Sequence, residues 1–143
     1  MTSAAFWAHG AAIQLGDGET SESFTSIAEI KDLKPPPLSR DSIEVTSHGS
    51  TSGYKEFISG LRDGGEVGFE CNWLPTNATQ DEDTGLLDTF DDDDNHNWRI
   101  VLPDSILTIS FAGFITKFEP ELPVTEQGKL SISIKVTGAV TVA

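Results

Sequence analysis

Strict alternation in two segments constrains this chain more than any other feature. Val67, Phe69, Cys71 and Trp73 alternate with Glu66, Gly68, Glu70 and Asn72, and Leu130, Ile132, Ile134 and Val136 alternate with Ser131, Ser133, Lys135 and Thr137. Successive side chains of a strand point to opposite faces, so each segment has one apolar and one polar face and needs a covering layer over the apolar one. Ile106 to Phe118 reads as a longer central strand, apolar on both faces and interrupted at Gly113, where a bend or bulge is expected. Ala11–Leu15, Phe24–Asp32, Ser42–Thr46 and Trp98–Leu102 supply further strands. They are separated by Gly16-Asp-Gly18, Pro35-Pro-Pro37, Gly64-Gly65 and Pro103-Asp104. Many short strands with such turns predict a mainly β sandwich or barrel.

One helix interrupts the series. Thr79 and Glu82 have capping-box spacing, and Leu86, Leu87 and Phe90 form an apolar stripe, so a helix is expected over Gln80 to Phe90. Gly85 weakens it by about 1 kcal/mol, so packing against a sheet must hold it.

The segment from Leu38 to Val67 is the most informative for function. It joins two strands through roughly twenty residues that contain glycines, hydroxyl side chains and an embedded Tyr54, Phe57, Ile58 and Leu61. A loop this long is usually functional or disordered, and its apolar residues argue against disorder. Those residues are expected to bury against something.

The motif Ser-Arg-Asp-x-Ile-x-Val-Thr-Ser-His at 39–48 is followed by Gly-Tyr-Lys-Glu-Phe-Ile-x-Gly-Leu-x-Asp-Gly-Gly-Glu-Val at 53–67. With Asn97-Trp-Arg-Ile-Val-Leu-Pro-Asp104, Phe111-x-Gly-Phe-Ile115 and Ser133-Ile-Lys-Val-Thr-Gly138, the chain resembles the tail tube proteins of long-tailed bacteriophages and of related gene-transfer-agent tails. The resemblance implies two packed antiparallel sheets with a flanking helix, in one domain over 1–143 without a C-terminal immunoglobulin-like extension. It also implies six subunits per ring and rings stacked into a hollow tube. Such a tube conducts DNA without binding it specifically and meets a tape-measure protein and a tail terminator or distal tail protein. The particle is assembled in the host bacterial cytoplasm. No cofactor, metal or membrane belongs to that role. The contact loop would be Ser47 to Gly65, with Ser47, His48, Tyr54, Phe57, Ile58 and Leu61 ordering between subunits. Glu66 and Glu70, with Glu29 and Glu44 as weaker candidates, would face the lumen, their field interrupted by Lys31 or Lys135.

Nine basic against twenty-three acidic residues give a formal net charge of -14, which opposes adhesion to phosphate backbones and anionic membranes. Met1 to Gly10 has no basic leader with an apolar run, no window is apolar enough for a spanning helix, and Met1 to Ala5 is expected to tolerate truncation. The single cysteine, Cys71, reads as a core residue.

Catalytic and metal chemistry find little purchase. Asp91-Asp-Asp-Asp-Asn-His96 departs from a calcium loop, because His96 stands at the turn-glycine position and Leu102 at the bidentate-glutamate position. His9, His48 and His96 lack zinc-site spacing. Gly49-Ser-Thr-Ser-Gly53 has Thr51 where a nucleophile elbow needs serine. An enzyme is therefore not expected. The alternative from a different class is a small β-barrel hydrolase or carbohydrate-binding module with Trp7, Trp73, Trp98 and Tyr54 as a platform.

Overall fold

The computed structural model describes residues 3–143. Nine strands and one α-helix follow in the order β1 (Ala12–Gly16), β2 (Phe24–Ser26), β3 (Ile30–Lys34), β4 (Ser39–Glu44), β5 (Phe57–Asp63), β6 (Glu66–Asn72), α1 (Leu86–Asp91), β7 (His96–Val101), β8 (Thr108–Glu121) and β9 (Lys129–Val142). Seven strands form one antiparallel sheet in the order β2-β1-β7-β8-β9-β6-β3, and β4 and β5 form a second sheet of two. Among the described residues the fold is mainly β, with two antiparallel sheets and a single α-helix.

The alternating segments build the core. Val67, Phe69 and Cys71 of β6 face inward beside Leu130, Ile132 and Ile134 of β9, in a register that sets Val67 against Ile134 and Phe69 against Ile132. Trp98 is fully buried among them, and its indole N–H donates to the Gly113 carbonyl at 3.3 Å. Gly113 is a point of close approach, since a Cβ there would collide with the Lys135 carbonyl. The irregularities expected at Gly113 fall on either side of it, between Ser110 and Ala112 and between Ile115 and Lys117.

Phe24 to Asp32, expected as one strand, is two. The chain turns at Ile27–Glu29, where Glu29 takes a left-handed conformation with φ 53°. β2 lies at one edge of the large sheet and β3 at the other. Only three residues separate them, so the sheet must curl until its edges approach. The Ile27 N–H donates to the Ile13 carbonyl at 3.0 Å in that junction. A curled sheet encloses its own core and leaves a polar outer face.

The helix is shorter than expected, Leu86–Asp91, and the Thr79/Glu82 capping box does not form. The Asp81 carboxylate instead accepts the N–H groups of Asp83, Thr84 and Gly85, a local turn that competes successfully with helix. Its carboxyl is held below the ordinary value of 3.8, first by the Thr84 N–H. Thr79 Oγ1 accepts the Ala28 N–H. Gln80, 1% exposed, ties this region to the sheet: its Oε1 accepts the Leu74 N–H and its Nε2 donates to the Ala28 and Asn72 carbonyls. Leu86 enters the core, and Phe90 rests on Phe118 of β8 with ring centroids 6.3 Å apart.

Candidate assembly surfaces

The expected long loop between Ser47 and Gly65 is largely a β-hairpin. β4 and β5 pair with Ile43 opposite Ile58, Glu44 opposite Phe57 and Arg40 opposite Arg62, with a bulge between Arg40 and Ser42. The embedded apolar residues that argued against disorder belong to β5. Ser47 and His48 start the connecting turn, which contains a 3₁₀ turn at Thr51–Gly53 and is braced by Ser50 Oγ donating to Glu56 Oε2 at 2.8 Å. Thr51 is thus part of a hairpin tip.

This hairpin is apolar and uncovered on both faces. The cross-strand register places Ile43 and Ile58 on one face and Phe57 on the other, and the bulge breaks the alternation before Leu61. All four are exposed, as are Tyr54 at the tip and Leu38 and Val45 in the strand flanks. Tyr54, Phe57, Ile58 and Leu61 were legible in the sequence as exposed anchors, whereas Leu38 was not singled out and Ile43 and Val45 were read only as part of a short strand over Ser42–Thr46. A lone two-stranded hairpin is marginal in water, so one that projects this much apolar surface needs a partner.

The polar outer face of the large sheet is a second surface. Glu66 and Glu70 both lie on it, opposite Lys135 and Ser131 of β9. Glu29 and Glu44 do not join them: Glu29 sits in the β2–β3 turn, accepting from Asn72 Nδ2, and Glu44 lies on the hairpin. Lys31 lies in edge strand β3. Three lysines on or beside this face are already paired, Lys117 with Glu119 at 2.5 Å, Lys129 with Glu126 at 2.6 Å and Lys135 with Asp63 at 3.3 Å. The Gly65 N–H and then Lys135 hold the Asp63 carboxyl below its usual range. Glu66 and Glu70 have no ion-pair partner among the described residues, and Glu66 accepts the Thr116 hydroxyl at 3.2 Å.

Most of the acidic surplus lies elsewhere. Residues 81–94 carry eight acids and no lysine or arginine. They surround α1, which covers the core side of β8. His96 Nε2 lies 3.3 Å from Asp92 there.

The tryptophan platform does not exist. Trp98 is buried in the core and Trp73 packs against it, whereas Trp7 stacks on His9 in the N-terminal segment and Tyr54 sits at the hairpin tip. Cys71 is fully buried; desolvation, then Glu70 and Glu29, push its thiol up to about 12, which makes it an unreactive core residue. Of the segment whose truncation is expected to be tolerated, Met1 and Thr2 lie outside the described residues, and Ser3 to Ala5 are exposed.

Residues 10–143 match the family described as lambda phage tail tube protein, TTP. No curated protein matches the chain. Among solved structures, the chain is similar to a protein from the tail of an empty gene transfer agent particle, refined with helical and C6 symmetry, at TM-score 0.76 and 19% identity, covering 96% of this chain and 98% of that one. It is similar to a chain of the sheath/tube terminator of an extracellular contractile injection system, at TM-score 0.71 and 13% identity, covering 100% and 99%. It is also similar to the SPP1 tail tube protein, at TM-score 0.60 and 13% identity, covering 90% and 73%.

Proposed function

We propose, from the premise that this chain belongs to the lambda phage tail tube protein family, that it assembles as sixfold rings stacked into a tube that conducts DNA. As a member of that family, the chain is a structural subunit of a phage-like or gene-transfer-agent-like tail tube, and not an enzyme. The similarity to a gene transfer agent tail refined with C6 symmetry supports rings of six. The observation that carries the assembly reading is the hairpin, whose exposed Ile43, Ile58, Phe57 and Leu61 gain a covering layer only when a neighbouring subunit clasps both faces. Ser47, His48 and Tyr54 at its tip belong to the same contact.

The polar face of the large sheet lines the lumen in this reading, with α1 and the acids of 81–94 outside. The lysines paired with Glu119, Glu126 and Asp63 are neutralised. Glu66, Glu70, Asp32 and Glu121 are then set against Lys34 and Arg99, a modest negative surplus repeated in every subunit. Such a wall opposes phosphate contacts without trapping the DNA. The chain works as one tube domain whose partners are its own copies, a tape-measure protein inside and terminator or distal tail proteins at the ends, assembled in the host cytoplasm.

Size-exclusion chromatography at rising concentration with negative-stain microscopy tests the reading. Rings and tubes are expected. A strict monomer at high concentration would refute it.

A further inference from the structure

Two surfaces beyond the Ile43, Ile58, Phe57 and Leu61 contact sit towards opposite ends of β9. One is the β8–β9 turn, where Leu122 is 73% and Val124 is 102% exposed, with Glu121 at its start. The other is a cleft of about 420 Å³ at the foot of the hairpin, floored by Val136, Ala139 and Val140 and walled by Leu38 and Arg62. The turn adjoins the start of β9 and the cleft floor lies well along it, so roughly 30 Å of strand separates them.

Charge tells what fits the cleft. Arg62 stands directly opposite Arg40 in the hairpin ladder, and like charges so placed repel. Neither arginine has a carboxylate partner among the described residues. At the turn, Glu119 and Glu126 are taken by Lys117 and Lys129, but Glu121 is free of any ion pair. One end of the molecule thus offers apolar side chains with a carboxylate outside any ion pair, and the other an apolar floor walled by Arg62, with Arg40 opposite it in the ladder and the Asp63 carboxylate of the lining already paired with Lys135.

We propose that the β8–β9 turn of one subunit seats in the hairpin-foot cleft of a subunit in the next ring. Leu122 and Val124 lie on the Val136–Val140 floor, and Glu121 meets Arg62 and Arg40. The contact joins different patches of identical chains, so repetition of it either closes a ring or propagates without end. Each step advances by the length between the two ends of one strand, which suits stacking better than closure of a ring. The inference rests on the tail tube reading and names the partner surface for axial growth.

The test uses the Leu122→Asp/Val124→Asp variant of the full chain. Both side chains are exposed in the subunit, so circular dichroism and the thermal midpoint should match the parent protein. Rings should form, but the concentration needed for tube growth should rise by about a hundredfold. Added in small proportion to the parent protein, the variant should shorten tubes, because its intact cleft still caps one end. Glu121→Arg and Arg62→Glu should each impair growth, and their combination should restore it. Tubes of parental length from the turn variant would overturn the proposal. So would normal stacking by that variant together with loss of stacking on deleting residues 1–9, which would give the cleft to the N-terminal segment carrying Phe6 and Trp7. Failure of the parent chain to form either rings or tubes would instead sink the tail tube reading.

Discussion

Replacing Phe57 and Ile58 of β5 together by serine should stop tube growth while leaving the subunit folded. The two side chains are 55% and 54% exposed in the subunit, so about half of each remains to be buried on assembly. Full burial of such side chains is worth about 1.5–3 kcal/mol each, so covering the remaining halves gains about 1.5–3 kcal/mol per subunit and about 9–18 kcal/mol per ring of six. Serine retains almost none of this. The isolated subunit loses far less, because its cooperative core is the seven-stranded sheet and the hairpin projects from it. Its unfolding free energy should change by no more than about 1 kcal/mol. Denaturant unfolding followed by tryptophan fluorescence reads the first quantity, since Trp98 is central to the core, and sedimentation with negative-stain microscopy reads the second. Normal tubes from the double variant would refute the reasoning. So would global unfolding, which would make the hairpin part of the core.

Gln80→Leu deprives the Leu74 N–H and the Ala28 and Asn72 carbonyls of their buried partner and should cost about 3 kcal/mol, read as a drop of about 10 °C in thermal midpoint. The Asp81 and Asp63 carboxyls lie below their ordinary value of 3.8 in the folded state, so their contribution is fully present above that pH and is lost as pH falls through their lowered values; thermal scans should show stability declining there. Glu66→Lys combined with Glu70→Lys should still permit tubes, because the apolar face of β6 is untouched, but should slow DNA passage most at low salt. Unchanged ejection kinetics from confirmed tubes would place these residues outside the lumen. Hydrogen exchange should be slowest across Leu130–Val136, and fast exchange there would contradict the core described above.

The sequence was most legible where one face of a strand is buried. In β6 and β9 the period-two pattern dictates the register, because a slip of one residue would expose the whole apolar set. It was least legible where local and distant interactions compete. Residues 80–85 have helical spacing, but Asp81 captures the backbone N–H groups that a helix would need, and Gly85 lies too close to the backbone of Gln80 and Asp81 to carry a side chain. The strand from Phe57 was hidden by the five glycines between Leu38 and Val67 and by apolar residues on both faces, which break alternation because both faces await a partner. Glu66 and Glu70 were placed on one face from alternation alone. Glu29 was expected with them and lies elsewhere, since its left-handed turn conformation is imposed by the return of the chain from one sheet edge to the other.

Helical reconstruction of the assembled tube by electron cryomicroscopy tests the central claim most directly. The account predicts sixfold rings in which Glu66 and Glu70 face the lumen, α1 and the acids of 81–94 face outward, and the β4–β5 hairpin is covered on both faces by neighbouring subunits. A tube with α1 lining the channel, or with the hairpin projecting freely into solvent, would contradict it.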